Sequence, residues 1–326
     1  MKKILKTVLL IIGSVLSAVR ADAQQDAQFT QYMFNGLYIN PAYAGYKEQT
    51  YIHSFYRNQW TGVEGAPQTM TLAADMVQNQ GKVGLGALFI SDRIGPQSNT
   101  SAYANYAYRL QTGESEFSRL AFGLGVGVVQ LGLNDKNLDP NDPDQIIPAG
   151  GASGVYPDAR AGVYYTTTKF FAGLSADNLL VGHFQSKGNS SVLLPRASTH
   201  LYLTAGALFP VSRDMKVKTS FLLKDDQRSP TSLDLNAFML LKETVWIGAF
   251  VRSAIGLYNK AGLEKELQKK NAMGLVTEIF ASENLRVGYA FDYSFSQIRQ
   301  FSYGSHEISV GLALSRVRRE GPKCYF

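Results

Sequence analysis

Hydrophobic and polar residues alternate along most of the chain after Glu48, in segments that are bounded by turn residues. Leu285 to Phe295 shows this most clearly: odd positions carry Leu, Val, Tyr or Phe, and even positions carry Arg, Gly, Ala, Asp or Ser. A period of two residues places successive side chains on opposite faces of a β-strand. The pattern predicts strands with one apolar face and one face that is small or charged.

The alternation predicts fourteen such strands, separated by turns and loops. Their approximate ranges are 49–60, 68–78, 81–92, 98–110, 117–131, 155–167, 169–177, 197–209, 215–226, 231–241, 243–253, 271–281, 284–296 and 304–315. Many have ten residues or more, and a tilted strand needs about 9–11 residues to cross a bilayer. The three long connections, 132–154, 178–196 and 254–270, all fall on one side, as the external loops of outer-membrane barrels do. We therefore expect an all-β fold, a transmembrane antiparallel β-barrel over residues 49–315, followed by a periplasmic tail, 316–326.

The N-terminal residues resemble a secretion signal. Lys2, Lys3 and Lys6 precede a short apolar run, and Ala21-Asp22-Ala23 is a small-x-small cleavage sequence. The alternative is a membrane anchor helix, but the run from Thr7 to Val19 is too short for a bilayer of about 30 Å. We expect a signal peptide over residues 1–23, cleaved after Ala23, and a mature protein in the outer membrane.

Residues 24–48 lack strand alternation but are rich in aromatic and amide side chains, as in QFTQYMFNGLYINPAYAG at 28–45. Such a segment is too aromatic for a disordered leader, so we expect a short plug inside or beneath the barrel. Pro41 lacks an N–H and restricts Asn40 to an extended shape, which predicts that Asn40-Pro41 ends the segment sharply. The residues expected to anchor this plug are Phe29, Tyr32, Phe34, Asn40, Pro41, Tyr43 and Gly45.

Charged residues in the strands are expected to face the lumen, since a charge facing lipid costs about 2–4 kcal/mol at mid-membrane. The predicted lumen charges are Arg57, Arg109, Asp158, Arg160, Asp234, Arg252, Arg286, Asp292 and Glu307. Their mixed signs fit a ligand or peptide pathway, or a network of ion pairs that fills a narrow barrel. The network is favoured because buried charges normally pair.

Composition and motifs exclude several classes of function. The formal net charge of +6 falls to +3 without residues 1–23, which is too mild for a nucleic-acid partner. Cys324 is the only cysteine, so no internal disulfide can form. No nucleophile elbow, phosphate-binding loop or zinc motif is present, so we expect no enzymatic activity, no metal and no cofactor. An outer-membrane lipase or protease is the weakest alternative for the same reason.

Two of the predicted external loops contain incomplete motifs, one for Ca²⁺ binding and one for a short helix. Residues 134–144, NDKNLDPNDPD, begin like a Ca²⁺-binding loop within the predicted loop 132–154, but Pro140 stands where the turn glycine belongs and no Glu closes the loop. An ordinary exposed loop is favoured there. Residues 257–270 could form a short helix, with its lysines on a solvated face.

The region after the predicted signal resembles the PorP/SprF family of type IX secretion proteins from Bacteroidetes. The resemblance is carried by QQDAQFTQYMFNGLYINPAYAGYKEQ at 24–49 and by HSFYRNQWTGVEGAPQTMTLAAD at 53–75. The latter matches the family's R-x-Q-W and G-x-P-x-T patterns, through Arg57, Gln59, Trp60, Gly65, Pro67 and Thr69.

The resemblance implies a barrel without enzymatic activity that supports type IX secretion or gliding motility. It implies two kinds of partner, the C-terminal domain of a large adhesin cargo and other type IX secretion components, besides outer-membrane lipid. The alternative is a channel or transporter for small ligands similar to FadL-type barrels, whose N-terminal hatch carries an Asn-Pro-Ala motif that Asn40-Pro41-Ala42 fits. An open lumen would favour transport, and a blocked lumen would favour the accessory role.

Overall fold

The computed structural model describes residues 29–113, 115, 117–134, 151–187, 194–258, 260 and 271–314. The predicted signal peptide, residues 135–150 of the Ca²⁺-like loop, nearly all of 259–270, and the tail with Cys324 lie outside the described residues. Within these ranges, no helix is both long enough and apolar enough to span a bilayer.

Fourteen antiparallel strands form a closed barrel, in which each strand pairs with its sequence neighbours and β1 closes on β14. The strands are β1 Tyr51–Asn58, β2 Gln68–Gln78, β3 Val83–Ile94, β4 Gln97–Gln111, β5 Arg119–Leu133, β6 Ala152–Thr166, β7 Phe170–Asp177, β8 His200–Pro210, β9 Met215–Asp225, β10 Thr231–Leu241, β11 Val245–Ile255, β12 Asn271–Phe280, β13 Leu285–Ser294 and β14 Ser305–Ala313. The predicted barrel and its strand count are confirmed.

The two faces of the wall differ in chemistry, as the alternation predicts. Outward side chains are apolar: Val126 on β5 and Leu275 on β12 are 66% and 67% exposed. Inward side chains are small, polar or charged and are buried, such as Asn105, Ser175 and Glu307. This is the arrangement of a barrel that faces lipid outside and fills its interior with side chains.

The barrel has two unlike ends. Connections of three to seven residues join the strands at the end where β1 begins, which we call the turn end. The longer connections, after β5, β7 and β11, lie at the opposite end, the loop end. In outer-membrane barrels the longer loops face the outside of the cell.

Residues 29–47, here called the inner segment, lie inside the ring of strands and are buried except for Tyr46, which is half-buried. They form three 3₁₀ turns, Tyr32–Phe34, Gly36–Tyr38 and Pro41–Tyr43. The prediction that Asn40-Pro41 ends the segment is wrong. Asn40 is extended, as expected before proline, but Pro41 begins the third turn, because a missing N–H is tolerated at the first position of a helix.

Candidate functional site in the barrel lumen

Arg57 of β1 lies at the centre of a buried ion-pair network in the half of the lumen nearer the loop end. Its Nη2 lies 2.5 Å from Asp292 Oδ2 on β13, and its Nη1 lies 3.2 Å from Glu307 Oε2 on β14. All three side chains are almost fully buried. The guanidinium is therefore held from two neighbouring strands, at the seam where β1 meets β14.

The inner segment completes this network with its own polar groups. The Thr30 hydroxyl donates to Asp292 and accepts a hydrogen bond from Arg57 Nη1 at 2.9 Å. The backbone N–H groups of Thr30 and Gln31 donate to Glu307 at 2.9 and 2.8 Å. Glu307 thus satisfies two backbone donors that burial would otherwise leave unpaired.

A second arginine extends the network along the wall. Arg252 of β11 binds Asp234 of β10, with Nη2 2.7 Å from Oδ2, and its Nη1 lies 3.8 Å from Asp292 Oδ2. Arg252 Nη2 also donates to the carbonyl oxygen of Phe29 at 3.3 Å. The ion pairs therefore form one chain of alternating sign, with the inner segment against it. Its members in order are Glu307, Arg57, Asp292, Arg252 and Asp234.

On the opposite wall, Arg160 of β6 binds the middle of the inner segment. It pairs with Asp177 of β7 at 2.8 Å and donates to the carbonyl oxygens of Leu37 and Tyr38 at 3.3 and 2.6 Å. Ser175 of β7 donates to the carbonyl oxygen of Ile39 at 2.5 Å. Carbonyl groups of the inner segment are therefore bound by wall donors, as its N–H groups are bound by wall acceptors.

Asn40 links the inner segment to both β6 and β7. Its Nδ2 donates to the carbonyl oxygens of Val163 and Leu174, at 3.0 and 3.3 Å, while its Oδ1 accepts from Ala42 N at 2.9 Å. One side chain thus caps the third turn and ties it to the wall.

The end of the inner segment is fixed near the turn end of the barrel. Gly45 N donates to Asp75 of β2 at 2.9 Å. Glu48, just beyond, pairs with Arg109 of β4 at 2.5 Å and with Arg119 of β5 at 3.3 Å. The segment therefore runs from the loop half of the lumen to the turn end.

Glycines of the wall allow this close approach. A Cβ at Gly84 of β3 would overlap the carbonyl group of Ala44, and one at Gly123 of β5 would overlap the backbone of Ala42. A strand glycine often marks such a close approach of another backbone. The inner segment is thus packed against bare strand backbone on this side.

Aromatic rings fill the space between the polar contacts. Phe29 packs on Tyr38 and Phe55, with ring centroids 3.9 and 5.7 Å apart. Nearer the turn end, Tyr43 packs edge-on against Tyr164, with centroids 5.5 Å apart. The Tyr32 hydroxyl accepts a hydrogen bond from Asn236 of β10 at 2.6 Å. Phe34 lies against Phe238, with centroids 5.8 Å apart. Edge-on and tilted pairs of this kind are favourable for aromatic rings.

The structure brings most of the predicted lumen charges together. Eight of the nine are buried, and Arg286 is partly exposed, with its Nη1 3.5 Å from Glu278 Oε1. Asp158 accepts hydrogen bonds from Tyr103 and from the loop after β7. It does not touch the inner segment through a described hydrogen bond.

Sequence reasoning missed several inward residues. Glu278 is fully buried, and Lys218 of β9 is surrounded by the rings of Phe34, Phe238 and Trp246 at 4.9–5.9 Å. The alternation of β12 did mark the position of Glu278, since Met273, Leu275 and Ile279 face outward. In β9 the run Phe221-Leu222-Leu223 obscures the alternation that would place Lys218.

Within the part of the chain that the structure describes, no group of three or more His, Cys, Asp or Glu side chains could hold a metal ion. The lumen instead offers a set of fixed donors and acceptors, which are directed at the inner segment and at each other. Chemically, this arrangement binds a peptide backbone.

Comparison with known proteins gives one family and a general fold. The sequence profile described as "Type IX secretion system membrane protein PorP/SprF" matches residues 21–312. No curated protein matches the chain closely enough to count as a relative. Among solved structures, the "CymD monoaromatic hydrocarbon channel" is 12% identical with a TM-score of 0.53, covering 88% of this chain and 94% of its own. The outer membrane protein Omp33 of Acinetobacter baumannii is 7% identical with a TM-score of 0.47, covering 83% and 100%.

At 12% identity the likeness to CymD shows the barrel fold and no more. The family profile, however, spans nearly the whole chain, and the closed barrel is the fold that the motifs around Asn40 and Trp60 imply. The fold and the family are those of an outer-membrane secretion barrel, not those of an enzyme family. The chain belongs to the PorP/SprF family of type IX secretion system membrane proteins.

Proposed function

We propose that this chain is a plugged accessory barrel of the type IX secretion system. It binds the C-terminal domain of a large secreted adhesin and helps to export that adhesin or attach it to the cell surface. The proposal of a plugged lumen rests on the inner segment. Its backbone is hydrogen-bonded by wall side chains on opposite sides of the lumen. The cargo rests on the family, to which the chain belongs.

The contacts of the inner segment favour a plug that stays in the lumen over a segment that enters and leaves it. Glu307 accepts from two of its backbone N–H groups, and Arg160 donates to two of its carbonyl groups. Withdrawal of the segment would break these four hydrogen bonds together, and a hydrogen bond to a charged group contributes about 1.5–3 kcal/mol net. On this reasoning the contacts with cargo belong to the ends of the barrel and not to its axis.

The alternative is a channel for small ligands. Asn40-Pro41-Ala42 fits the hatch motif of FadL-type barrels, but a channel needs a continuous path past the segment. The buried ion pairs of Arg57 and Arg252 and the packed rings of Phe29 and Tyr43 occupy that path. These contacts support the accessory role.

The two candidates differ in an electrical measurement. In planar lipid bilayers, we expect the purified full chain to show no steady single-channel conductance. A stable open conductance of the unmodified protein would contradict the plug and favour the transporter.

Cargo binding is tested in cells by deletion. We expect a deletion strain to secrete other proteins normally and to lose one large adhesin from its surface, measured by surface labelling and mass spectrometry. Expression of the full chain should restore that adhesin. Normal display of every surface protein in the deletion strain would rule out the cargo role.

A further inference from the structure

The barrel wall is incomplete at the loop end between β6 and β8. β6 pairs with β5 along its whole length but with β7 only over Ala161–Thr166. β7 ends at Asp177, so the nine residues of β6 before Ala161 have no strand partner on that side among the described residues. Unpaired backbone is costly in a membrane and has to be covered.

A short helix lies in place of the missing wall. This helix, α1 (Val181–Lys187), follows β7 directly and packs against β6. Asp158 of β6 accepts hydrogen bonds from Leu180 N at 2.9 Å and Val181 N at 3.0 Å. The N–H of Leu179 donates to the carbonyl oxygen of Ala159 at 3.1 Å, which satisfies part of the free edge of β6.

The outer side of this loop carries apolar side chains. Leu179, Leu180 and Phe184 are each about as exposed as the outward residues of the strands. Exposed apolar side chains in line with a lipid-facing wall are stable because hydrocarbon covers them. This part of the wall therefore borders the lipid leaflet on the loop side.

A cavity of about 490 Å³ lies beside α1 and is held open by fixed walls. Gln185 of α1 donates to the carbonyl oxygen of Pro195 at 2.6 Å and accepts from Ala197 N at 3.1 Å, which fastens residues 194–199 to the helix. The turn after β9 forms another side, through Asp226 and Arg228. A volume of this size is typical of a small-ligand site, about 300–1,000 Å³.

The charges that line the cavity favour an anion. Arg196 and Arg228 are exposed, and neither guanidinium pairs with a residue that the structure describes. Asp226 is the acidic residue among the lining residues, and its Oδ1 accepts from the backbone N–H groups of Arg228 and Ser229. Its charge is thus directed into its own turn, whereas the two guanidinium groups remain available.

We propose that this cavity binds the anionic headgroup of a membrane lipid and that Arg196 and Arg228 are the residues that bind it. A guanidinium binds phosphate oxygens in two parallel hydrogen bonds, which suits a phosphate ester. A soluble phosphate has the same chemistry, but Leu179, one of the exposed apolar residues of the loop, also lines the cavity, so the cavity reaches the lipid-facing side of the loop. The site is independent of cargo binding and would persist if the chain carried no adhesin.

The test compares lipid retention by the full chain and two sets of variants. The protein is reconstituted in vesicles of phosphatidylcholine with added phosphatidylglycerol, extracted in mild detergent, and analysed by native mass spectrometry. We expect retained phosphatidylglycerol on the unmodified protein and at least a tenfold loss in the Arg196→Gln/Arg228→Gln variant, a change of about 1.4 kcal/mol that the two guanidinium–phosphate contacts share. Arg299→Gln, an exposed arginine of the β13–β14 connection, is the matched control and should retain lipid as the unmodified protein does.

Two outcomes would overturn the proposal. One is equal retention of phosphatidylglycerol by the unmodified protein and the double variant. The other is displacement of all bound lipid by inorganic phosphate at low concentration, which would identify a soluble anion as the ligand. The double variant is expected to fold normally because both arginines are exposed. Its thermal unfolding should therefore match that of the unmodified protein.

Discussion

Arg57 and Asp292 form a buried ion pair, 2.5 Å between Nη2 and Oδ2, although 235 residues separate them along the chain. The pair lies beside the β1–β14 seam, where Arg57 is also the direct strand neighbour of Glu307. A single side chain thus holds the seam, the neighbouring strand β13 and the start of the inner segment.

Replacement of Arg57 should strongly destabilise the barrel. Arg57→Ala leaves Asp292 and Glu307 buried with less compensation, and loss of one partner of a buried pair costs about 3–5 kcal/mol. Thermal unfolding followed by the heat-dependent gel mobility of the barrel measures this. Arg299→Ala, at an exposed arginine, should leave the transition unchanged, and an unchanged transition in Arg57→Ala as well would refute the role of the pair.

Replacement of Asn40 should loosen the inner segment more than replacement of Asn35 does. Among the described residues, the Asn35 side chain bonds its own turn by accepting from Leu37 N, whereas Asn40 caps a turn and also donates to β6 and β7. Loss of a cap costs about 0.5–2 kcal/mol, and each net hydrogen bond adds about 0.5–1.5 kcal/mol. We expect Asn40→Ala to unfold at a lower denaturant concentration than Asn35→Ala.

Asn40→Asp separates the two contributions of this side chain. It keeps an acceptor for Ala42 N but turns the second oxygen towards the carbonyl groups of Val163 and Leu174, which repel it. If the wall contacts dominate, Asn40→Asp is no more stable than Asn40→Ala. Stability close to that of the unmodified protein would show that capping alone matters.

A methyl group at Gly123 should displace the inner segment and leave the wall intact. The added Cβ would overlap the backbone of Ala42, and overpacking of this kind costs about 1–3 kcal/mol. We expect faster hydrogen exchange for amides of residues 29–45 in Gly123→Ala, with slow exchange retained in the strands. Ala104→Val, which adds carbon on the lipid face of β4, is the control and should exchange as the unmodified protein does.

The turn after β9 should respond to acid through Asp226. Burial alone would raise the pKa of Asp226, but hydrogen bonds from Ser229 and from the N–H of Arg228 outweigh it and hold the pKa below its usual value. A lowered folded-state pKa stabilises the turn above the ordinary Asp pKa of about 3.9, and this stabilisation is lost as the pH falls through the lowered value.

NMR chemical shifts of the Arg228 and Ser229 amides should therefore stay constant down to about pH 4 and change below it. Asp226→Asn keeps an acceptor but cannot titrate, so its amide shifts should not follow that transition. A midpoint well above pH 4 in the unmodified protein would contradict the lowered pKa.

The strands were predictable because lipid-facing and lumen-facing positions alternate over long stretches, most regularly in β4 and β14. The predicted bounds of 68–78 and 231–241 coincide with β2 and β10. The same alternation indicated the inward side of Arg57, Asp292 and Glu307, because a charge on the lipid face would be costly.

The contacts of the inner segment were less accessible to sequence reasoning. Its turns follow from capping by Asn35 and Asn40, which sequence signals could have suggested. Its partners, however, are set by the barrel register, which brings Glu307 beside Arg57 and Gly123 beneath Ala42. α1 was also missed, since seven residues are too few for a helical period to emerge.

The position of Glu307 on the last strand bears on how the molecule is assembled. Thr30 and Gln31 are among the earliest residues that the structure describes, and their acceptor is on β14, the final strand. Thr30 and Gln31 therefore cannot reach their full set of hydrogen bonds until β14 has formed. Closure of the barrel and burial of the inner segment therefore stabilise each other.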